Sequence, residues 1–130
     1  MSDGRRAARL AGRIQRDLME LLVRGGAREP RLAEVVISEV RVTADLSLAR
    51  IYVRSMRPTA SEEERERLIE ALERASGWLR RQLGAGLRVR RVPELRFAWD
   101  ERIDEAARIE QLLAELRQEA PAGGEPDGEA

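Results

Sequence analysis

The chain has 130 residues, a length that suits one globular domain with a single hydrophobic core. It contains no cysteine and no histidine, which excludes disulfides, thiol nucleophiles, imidazole bases and the usual zinc and haem ligands. Acidic and basic residues balance, but residues 1–114 hold 23 arginines against 19 acids, whereas residues 115–130 hold one arginine and five acids. We therefore expect a non-enzymatic protein without metal or cofactor, in which residues 1–117 form the domain and residues 118–130 an acidic, disordered tail.

Every basic residue is an arginine. The planar guanidinium group binds phosphate with two parallel hydrogen bonds, so this composition would suit an RNA-binding protein. A GC-rich genome that encodes arginine in place of lysine produces the same composition. On composition alone we favour the second explanation.

The chain lacks the sequence features of membrane and secreted proteins. No apolar run approaches the roughly 18 residues of a membrane span, and the start Met1-Ser2-Asp3-Gly4 is not followed by the apolar segment of a signal peptide. We expect a cytoplasmic protein without a membrane partner.

Residues 5–23 show the pattern of an amphipathic helix that ends at Gly25-Gly26. Its apolar positions follow the three-and-four spacing of one buried face: Leu10, Ala11, Ile14, Leu18, Leu21 and Leu22. A second face carries an arginine ridge about three turns long: Arg5, Arg6, Arg9, Arg13 and Arg16. Such a ridge is either an ordinary solvated surface or a phosphate-binding one.

Two strands are predicted next, from Val35 to Thr43 and from Leu48 to Ser55, joined by the polar turn at residues 44–47. In the second strand the apolar residues alternate with polar ones and share one face: Ala49, Ile51 and Val53. The first strand is ambiguous by one residue, because Val35 and Ile37 compete for the inward face. We predict that the inward residues are Val36, Val40 and Val42.

A second helix is predicted to begin at Glu62, because Ser61 and Glu64 have the spacing of a capping box. Its apolar positions stay in phase across Gly77: Leu68, Leu72, Ala75, Leu79 and Leu83. Periodicity therefore permits one unbroken helix to about residue 84, at a cost of about 1 kcal/mol for the glycine relative to alanine.

After Gly84 and Gly86 the pattern becomes extended, and a third strand is predicted from Leu95 to Trp99. Asp100 then suits the cap of a last helix. Between Arg80 and Arg96 there are six arginines and one acid, Glu94. This density of positive charge is typical of a surface that binds a phosphate backbone.

Several segments in this order resemble the ribosome-binding factor A family, bacterial assembly factors of the small ribosomal subunit. They are residues 29–32 (Glu-Pro-Arg-Leu), the hairpin with residues 45–53, the Ala75-Ser76-Gly77 element, and residues 92–97. The resemblance implies an α+β, type II KH-like fold, ordered helix, strand, strand, kinked helix pair, strand, with a three-stranded sheet, helices on one of its faces and a C-terminal helix. It also implies a helix kink at Ala75-Ser76-Gly77, where a standard KH domain carries a Gly-x-x-Gly loop.

The resemblance further implies binding to the immature 30S subunit and its 16S rRNA, with support for late maturation and for processing of the 16S rRNA 5′ end. Catalysis and small-molecule substrates are not part of the family pattern, and we expect a monomer when the protein is free. The predicted RNA-binding residues are Arg5, Arg6, Arg9, Arg13, Arg16, Ser76, Gly77, Arg80, Arg81, Arg88, Arg90 and Arg91. Arg102 and Ala106 replace the serine and glycine that the family often has after the third strand, which favours a longer final helix.

Two other functions fit parts of the sequence. A protein-interaction module would use the first and last helices to bind a partner protein, with the arginines serving solubility. A general KH protein for single-stranded RNA would need a Gly-x-x-Gly loop to hold the backbone, and the sequence has none.

Overall fold

The computed structural model describes residues 2–25, 29–57 and 60–119, and the α+β class is confirmed. Its elements, in chain order, are α1 (Ser2–Arg24), a 3₁₀ turn (Pro30–Glu34), β1 (Val35–Val42), β2 (Leu48–Ser55), α2 (Glu62–Gly86), β3 (Glu94–Trp99) and α3 (Glu101–Glu119). The contacts divide the chain into two compact units, Met1–Trp99 and Asp100–Ala130. Of the predicted tail, Gln118 and Glu119 continue α3, and residues 120–130 lie outside the described residues.

The three strands form one mixed sheet in the order β1-β2-β3, with β1 antiparallel and β3 parallel to β2. The parallel pair is joined through α2, as such pairs require a crossover connection. Ala49, Ile51 and Val53 of β2 are fully buried in the core shared with α1 and α2, whereas Arg50 between them is exposed. The two helices therefore cover one face of the sheet, as predicted.

β1 corrects the predicted choice of inward residues. The register with β2 shifts between Ile37 and Glu39, so Ser38 is an extra residue in a β-bulge. The bulge changes the alternation within the strand, and the buried side chains are Val35, Ile37 and Val40. The prediction was right for Val40 and wrong for Val36, while Val42 is half-buried.

Helix side chains bind the outer edges of the sheet. On β1, the Ile37 carbonyl accepts a hydrogen bond from Gln15 Nε2 at 3.1 Å, and its amide lies 3.3 Å from the Met19 sulfur. On β3, the Phe97 amide donates to a Glu73 carboxylate oxygen at 3.1 Å. These contacts satisfy backbone groups at which another strand could otherwise pair, and they fix α1 and α2 against opposite edges.

α2 is one helix of 25 residues without an interruption at Ala75-Ser76-Gly77, so the chain has no separate second helix there, and the kink expected at this element stays a prediction. The physical reason for the continuity is the apolar periodicity, since Leu72 before Gly77 and Leu79 and Leu83 after it are all buried in the core. Burying those three leucines stabilises the helix by more than the roughly 1 kcal/mol that a mid-helix glycine costs. The helix begins as predicted, because Ser61 Oγ accepts from the Glu64 amide and Glu64 accepts from the Ser61 amide.

Candidate nucleic-acid interface

α1 separates its apolar and cationic residues onto different sides. Ile14 and Leu18 are completely buried against the sheet and α2. The five arginines of the predicted ridge are all exposed: Arg5, Arg6, Arg9, Arg13 and Arg16. Because the helix is anchored by its other face, the cationic side has a fixed orientation.

The ridge meets the segment between α2 and β3 in a surface depression of about 330 Å³, which we call the α1 depression. It is lined by Arg6, Arg9, Leu10, Arg13, Leu46, Leu87, Arg88 and Val89. The Arg13 guanidinium links the two segments directly, since its Nη2 donates to the Gly86 carbonyl at 3.1 Å while its Nε donates to Asp17 at 3.0 Å. The structure thus brings together four of the predicted arginines from positions more than 70 residues apart in the chain.

The hairpin turn places Leu46 in this depression. Leu46 has a positive φ of 63°, a conformation that a side chain with a Cβ rarely adopts. The turn is held by Asp45, whose Oδ1 accepts from the hydroxyls of Thr43 and Ser47, each at 2.8 Å, and from the Ser47 amide at 3.1 Å. The Thr43 hydroxyl and then the Ser47 groups stabilise the ionised carboxylate and lower the pKa of Asp45.

A second, broader depression of about 1100 Å³ lies between α2 and β3, and we call it the α2 depression. Four predicted residues line it, namely Ser76, Gly77, Arg80 and Arg91. The sheet adds Arg50 and Arg96, and two acids, Glu73 and Glu94, also lie in its wall. The arginines outnumber the acids, so the depression has a net positive charge.

Arg80 has a structural role that the sequence did not reveal. Its Nη2 donates to the Val92 carbonyl at 2.7 Å and its Nε to the Pro93 carbonyl at 3.1 Å. The side chain therefore ties α2 to the segment that leads into β3. Hydrogen bonds from a charged donor to partly buried carbonyls stabilise a fold by more than neutral ones do.

The continuous α2 changes what Ser76 and Gly77 offer. The Ser76 hydroxyl donates to the Glu73 carbonyl at 2.8 Å within the helix, and no new helix start forms there to expose backbone amides. A Cβ placed on Gly77 would lie 3.6 Å from Arg81 Nη1, an ordinary contact distance. Anion binding in the α2 depression would therefore rely on arginine side chains.

The remaining predicted residues line neither depression: Arg5, Arg16, Arg81 and Arg90. All four are exposed, and Arg90 belongs to the same extended segment as Arg88 and Arg91. Sequence reasoning missed Arg50 and Arg96, which the parallel register pairs on neighbouring strands. Only the register of the strands shows that these two side chains are neighbours.

Within the described ranges, no helix is both long and apolar enough to span a membrane. The same residues contain no cluster of three or more acidic side chains arranged to hold a metal ion.

Comparison with known proteins gives one family. The model of the family described as ribosome-binding factor A matches residues 6–113. The chain belongs to the ribosome-binding factor A family. Ribosome-binding factor A of Sorangium cellulosum is 42% identical over 113 residues, which is 87% of this chain and 90% of that protein.

Solved structures of the family have the same fold. The crystal structure of ribosome-binding factor A from Thermus thermophilus is 31% identical, with a TM-score of 0.60 over 72% of this chain and 93% of that one. A Thermus thermophilus ribosome-binding factor A homology model, fitted into a cryo-EM map of a complex with the 30S subunit, is 29% identical, with a TM-score of 0.55 over 69% and 90% of the two chains. The KH-like fold expected from the resemblance is confirmed.

Proposed function

We propose that this chain binds the immature 30S ribosomal subunit in the cytoplasm and contacts its 16S rRNA through the arginines of the α1 depression. The observation that carries the proposal is the convergence of Arg6, Arg9 and Arg13 with Arg88 in one concave surface. Support also comes from the family, since a relative has been fitted into a map of its 30S complex.

The chemistry of this surface suits a folded RNA. Guanidinium groups bind phosphate oxygens bidentately and retain their charge at any physiological pH. Leu10, Leu46 and Leu87 line the same depression, so the cations lie beside an apolar surface. Structured RNA is recognised by its shape and phosphate geometry, which a rigid array of cations on a helix can match.

The role that we propose is binding without catalysis. The bound protein would hold one arrangement of precursor 16S rRNA during late maturation, and cutting at the 5′ end would be done by a separate nuclease. Cells depleted of the protein should therefore accumulate 16S rRNA with an unprocessed 5′ end. Restoring the wild-type chain should remove that precursor, and a variant that does not bind subunits should leave it. We also propose that the free chain is a monomer, which light scattering of the purified protein tests directly.

The direct test is co-sedimentation with purified 30S subunits over a range of salt concentrations. Replacing both Arg9 and Arg88 by Gln removes two cations from the α1 depression. The matched control replaces Arg24 and Arg67, which are exposed and line neither depression. Because each phosphate contact contributes about one unit to the slope of log affinity against log salt, the first variant should lose about two units and the control almost none. If the slope of log affinity against log salt is the same for the two variants, the α1 depression does not contact the subunit.

One observation favours a second candidate function for α3 alone. Four of its apolar side chains, spaced at helical intervals, are 46–59% exposed: Ile109, Leu112, Leu113 and Leu116. An apolar stripe of this kind suits contact with a partner protein. The corresponding stripe of α1 is buried in the core, so only α3 remains for a protein-interaction role. A complex formed through α3 would survive RNase treatment, whereas a complex formed through rRNA would not.

A further inference from the structure

The face of the sheet opposite α1 and α2 carries a row of arginines. In β2, Arg50, Tyr52 and Arg54 alternate with the buried residues of the core. The antiparallel register places Arg41 of β1 opposite Arg50, and the parallel register places Arg96 of β3 on its other side. Because neighbouring strands are about 4.8 Å apart, three guanidinium groups project from one narrow band across the sheet.

This band is unfavourable for the isolated protein, because like charges directly opposite each other destabilise a sheet. The outer two members are compensated within their own strands. Arg41 pairs with Glu39, and Arg96 pairs with Glu94 at 2.7 Å. The middle member, Arg50, forms no hydrogen bond or ion pair with the part of the chain that the structure describes. Its charge is therefore uncompensated within those residues and available to an anionic partner.

An aromatic side chain lies next to the band. Tyr52 is half-buried on the same face, two residues from Arg50 and two from Arg54. Its register partners are Ala98 in β3, whose side chain is too small to cover an aromatic ring, and Glu39 in β1, whose carboxylate pairs with Arg41. An aromatic ring among cations on an open sheet is the arrangement with which RNA-binding sheets stack unpaired bases and hold the adjoining phosphates.

We infer that this open sheet face binds an unpaired RNA segment, with a base stacked on Tyr52 and the neighbouring phosphates on the Arg41, Arg50 and Arg96 band. Arg50 and Arg96 also line the α2 depression, so an RNA strand held in that depression can continue over the β3 edge onto the sheet. The inference rests on the proposed function only in taking RNA as the partner. The contact is separate from the α1 depression, which shares none of these residues.

The test measures binding of the full chain to a fluorescent oligouridylate of about 12 nucleotides by anisotropy at low salt. Oligouridylate does not base-pair with itself, so its bases are available for stacking. Tyr52→Leu removes the ring and should weaken binding about tenfold, as expected for one lost stacked base. Tyr52→Phe keeps the ring and should bind like the wild type. Arg50→Gln should weaken binding and reduce the salt slope by about one. The matched control Arg24→Gln removes an equal charge at the end of α1, outside the sheet, and should leave the affinity and the salt slope unchanged.

A second measurement does not depend on the variants' folding. Ultraviolet cross-linking of the wild-type chain to the same oligouridylate, followed by trypsin, should give a uridine adduct on the fragment Ile51–Arg54. The inference is overturned if the wild type does not bind the oligonucleotide, if adducts form only elsewhere, or if Tyr52→Leu and Arg50→Gln bind like the Arg24→Gln control. Co-sedimentation of the wild type with 30S subunits separates the two proposals. Subunit binding without oligonucleotide binding contradicts only this inference, and the reverse result contradicts only the proposed function.

Discussion

The two long helices of the sheet-containing unit have opposite charge patterns on their exposed sides. α2 begins with three acids at the positive end of its dipole, and it places opposite charges four residues apart, as in Glu63 and Arg67 or Glu70 and Arg74. The first half of α1 instead spaces like charges four apart, in the series Arg5, Arg9 and Arg13, and opposite charges pair at this spacing only in its second half, as in Arg13 with Asp17 and Glu20 with Arg24. The first pattern stabilises an isolated helix by a few tenths of a kcal/mol per pair, and the second destabilises it by a similar amount.

Under the proposed function the arginines at the start of α1 serve binding, although Arg13 also holds the Gly86 carbonyl of its own chain. Like charges at this spacing weaken a helix, and the anionic partner that we propose for the α1 depression would offset that cost. The arginines of α2 include Arg80, which binds backbone carbonyls of its own chain. Residue type is the same in both helices, so the distinction comes from spacing and contacts.

The largest expected effect comes from reversing one charge in α1, which should change stability and subunit affinity in opposite directions. Arg9→Glu would place an acid four residues from both Arg5 and Arg13 and turn two repulsions into two attractions. We expect the free energy of unfolding to rise by about 0.5–1 kcal/mol, while affinity for 30S subunits falls about tenfold or more at low salt. Urea denaturation and co-sedimentation of the same preparation measure the two effects. A variant that loses stability and keeps its affinity would show that the ridge serves the fold.

Removing the Arg80 side chain tests the structural role of an α2 arginine. Arg80→Ala deletes two charge-assisted hydrogen bonds to the Val92 and Pro93 carbonyls, and the free energy of unfolding should fall by about 2 kcal/mol. Arg81→Ala, one residue further along the same helix and exposed, should change it by less than about 0.5 kcal/mol. Equal effects in urea denaturation would mean that the Arg80 contacts contribute nothing beyond an ordinary surface charge.

Alanine substitutions at two glycines of α2 test whether the helix is continuous and how closely each glycine is packed. Gly77→Ala should raise stability by about 0.5–1 kcal/mol, because the helix is continuous and the new methyl meets no close neighbour. Gly84→Ala should gain less, because a Cβ there would lie 3.2 Å from a Val92 methyl carbon. Thermal denaturation of the two variants compares them directly. A loss of stability for Gly77→Ala would indicate a break in the helix at that residue.

The smallest effect is expected at the hairpin turn beside α1. Hydrogen bonds from Thr43 and Ser47 lower the pKa of Asp45, so their contribution is complete at pH above the ordinary range of aspartate and is lost as the pH falls through the folded value. Asp45→Asn should therefore melt below the wild type at neutral pH, and the two melting curves should converge in strong acid. A difference that persists unchanged in acid would show that ionisation of Asp45 plays no part.

Local chemistry made much of the fold predictable. The capping box of Ser61 and Glu64 gave the start of α2, and strict alternation gave the inward face of β2. The inward face of β1 could not be predicted correctly because of the bulge at Ser38. The bulge is a feature of the pairing between β1 and β2, and the residues of β1 alone do not indicate it. The apolar periodicity permitted an uninterrupted α2, which the structure has, and the kink that the family resemblance implies at residues 75–77 stays a prediction.

The sequence indicated most of the arginines of the candidate site, but it did not indicate which of them lie close together in the fold. The density of arginines identified α1 and the segment before β3, while their convergence depends on how α1 packs beside the end of α2. Arg50 and Arg96 were missed because their proximity depends on the strand register. The hydrogen bonds of Arg80 could not be read from a sequence in which every cation is the same residue type.

Ultraviolet cross-linking between the full chain and precursor 30S subunits, followed by mass spectrometry, tests the central claim most directly. The account predicts that rRNA adducts concentrate in residues 5–16 and 86–91, the two segments that contribute the arginines of the α1 depression. Adducts confined to α3, with neither of those segments cross-linked, would contradict it.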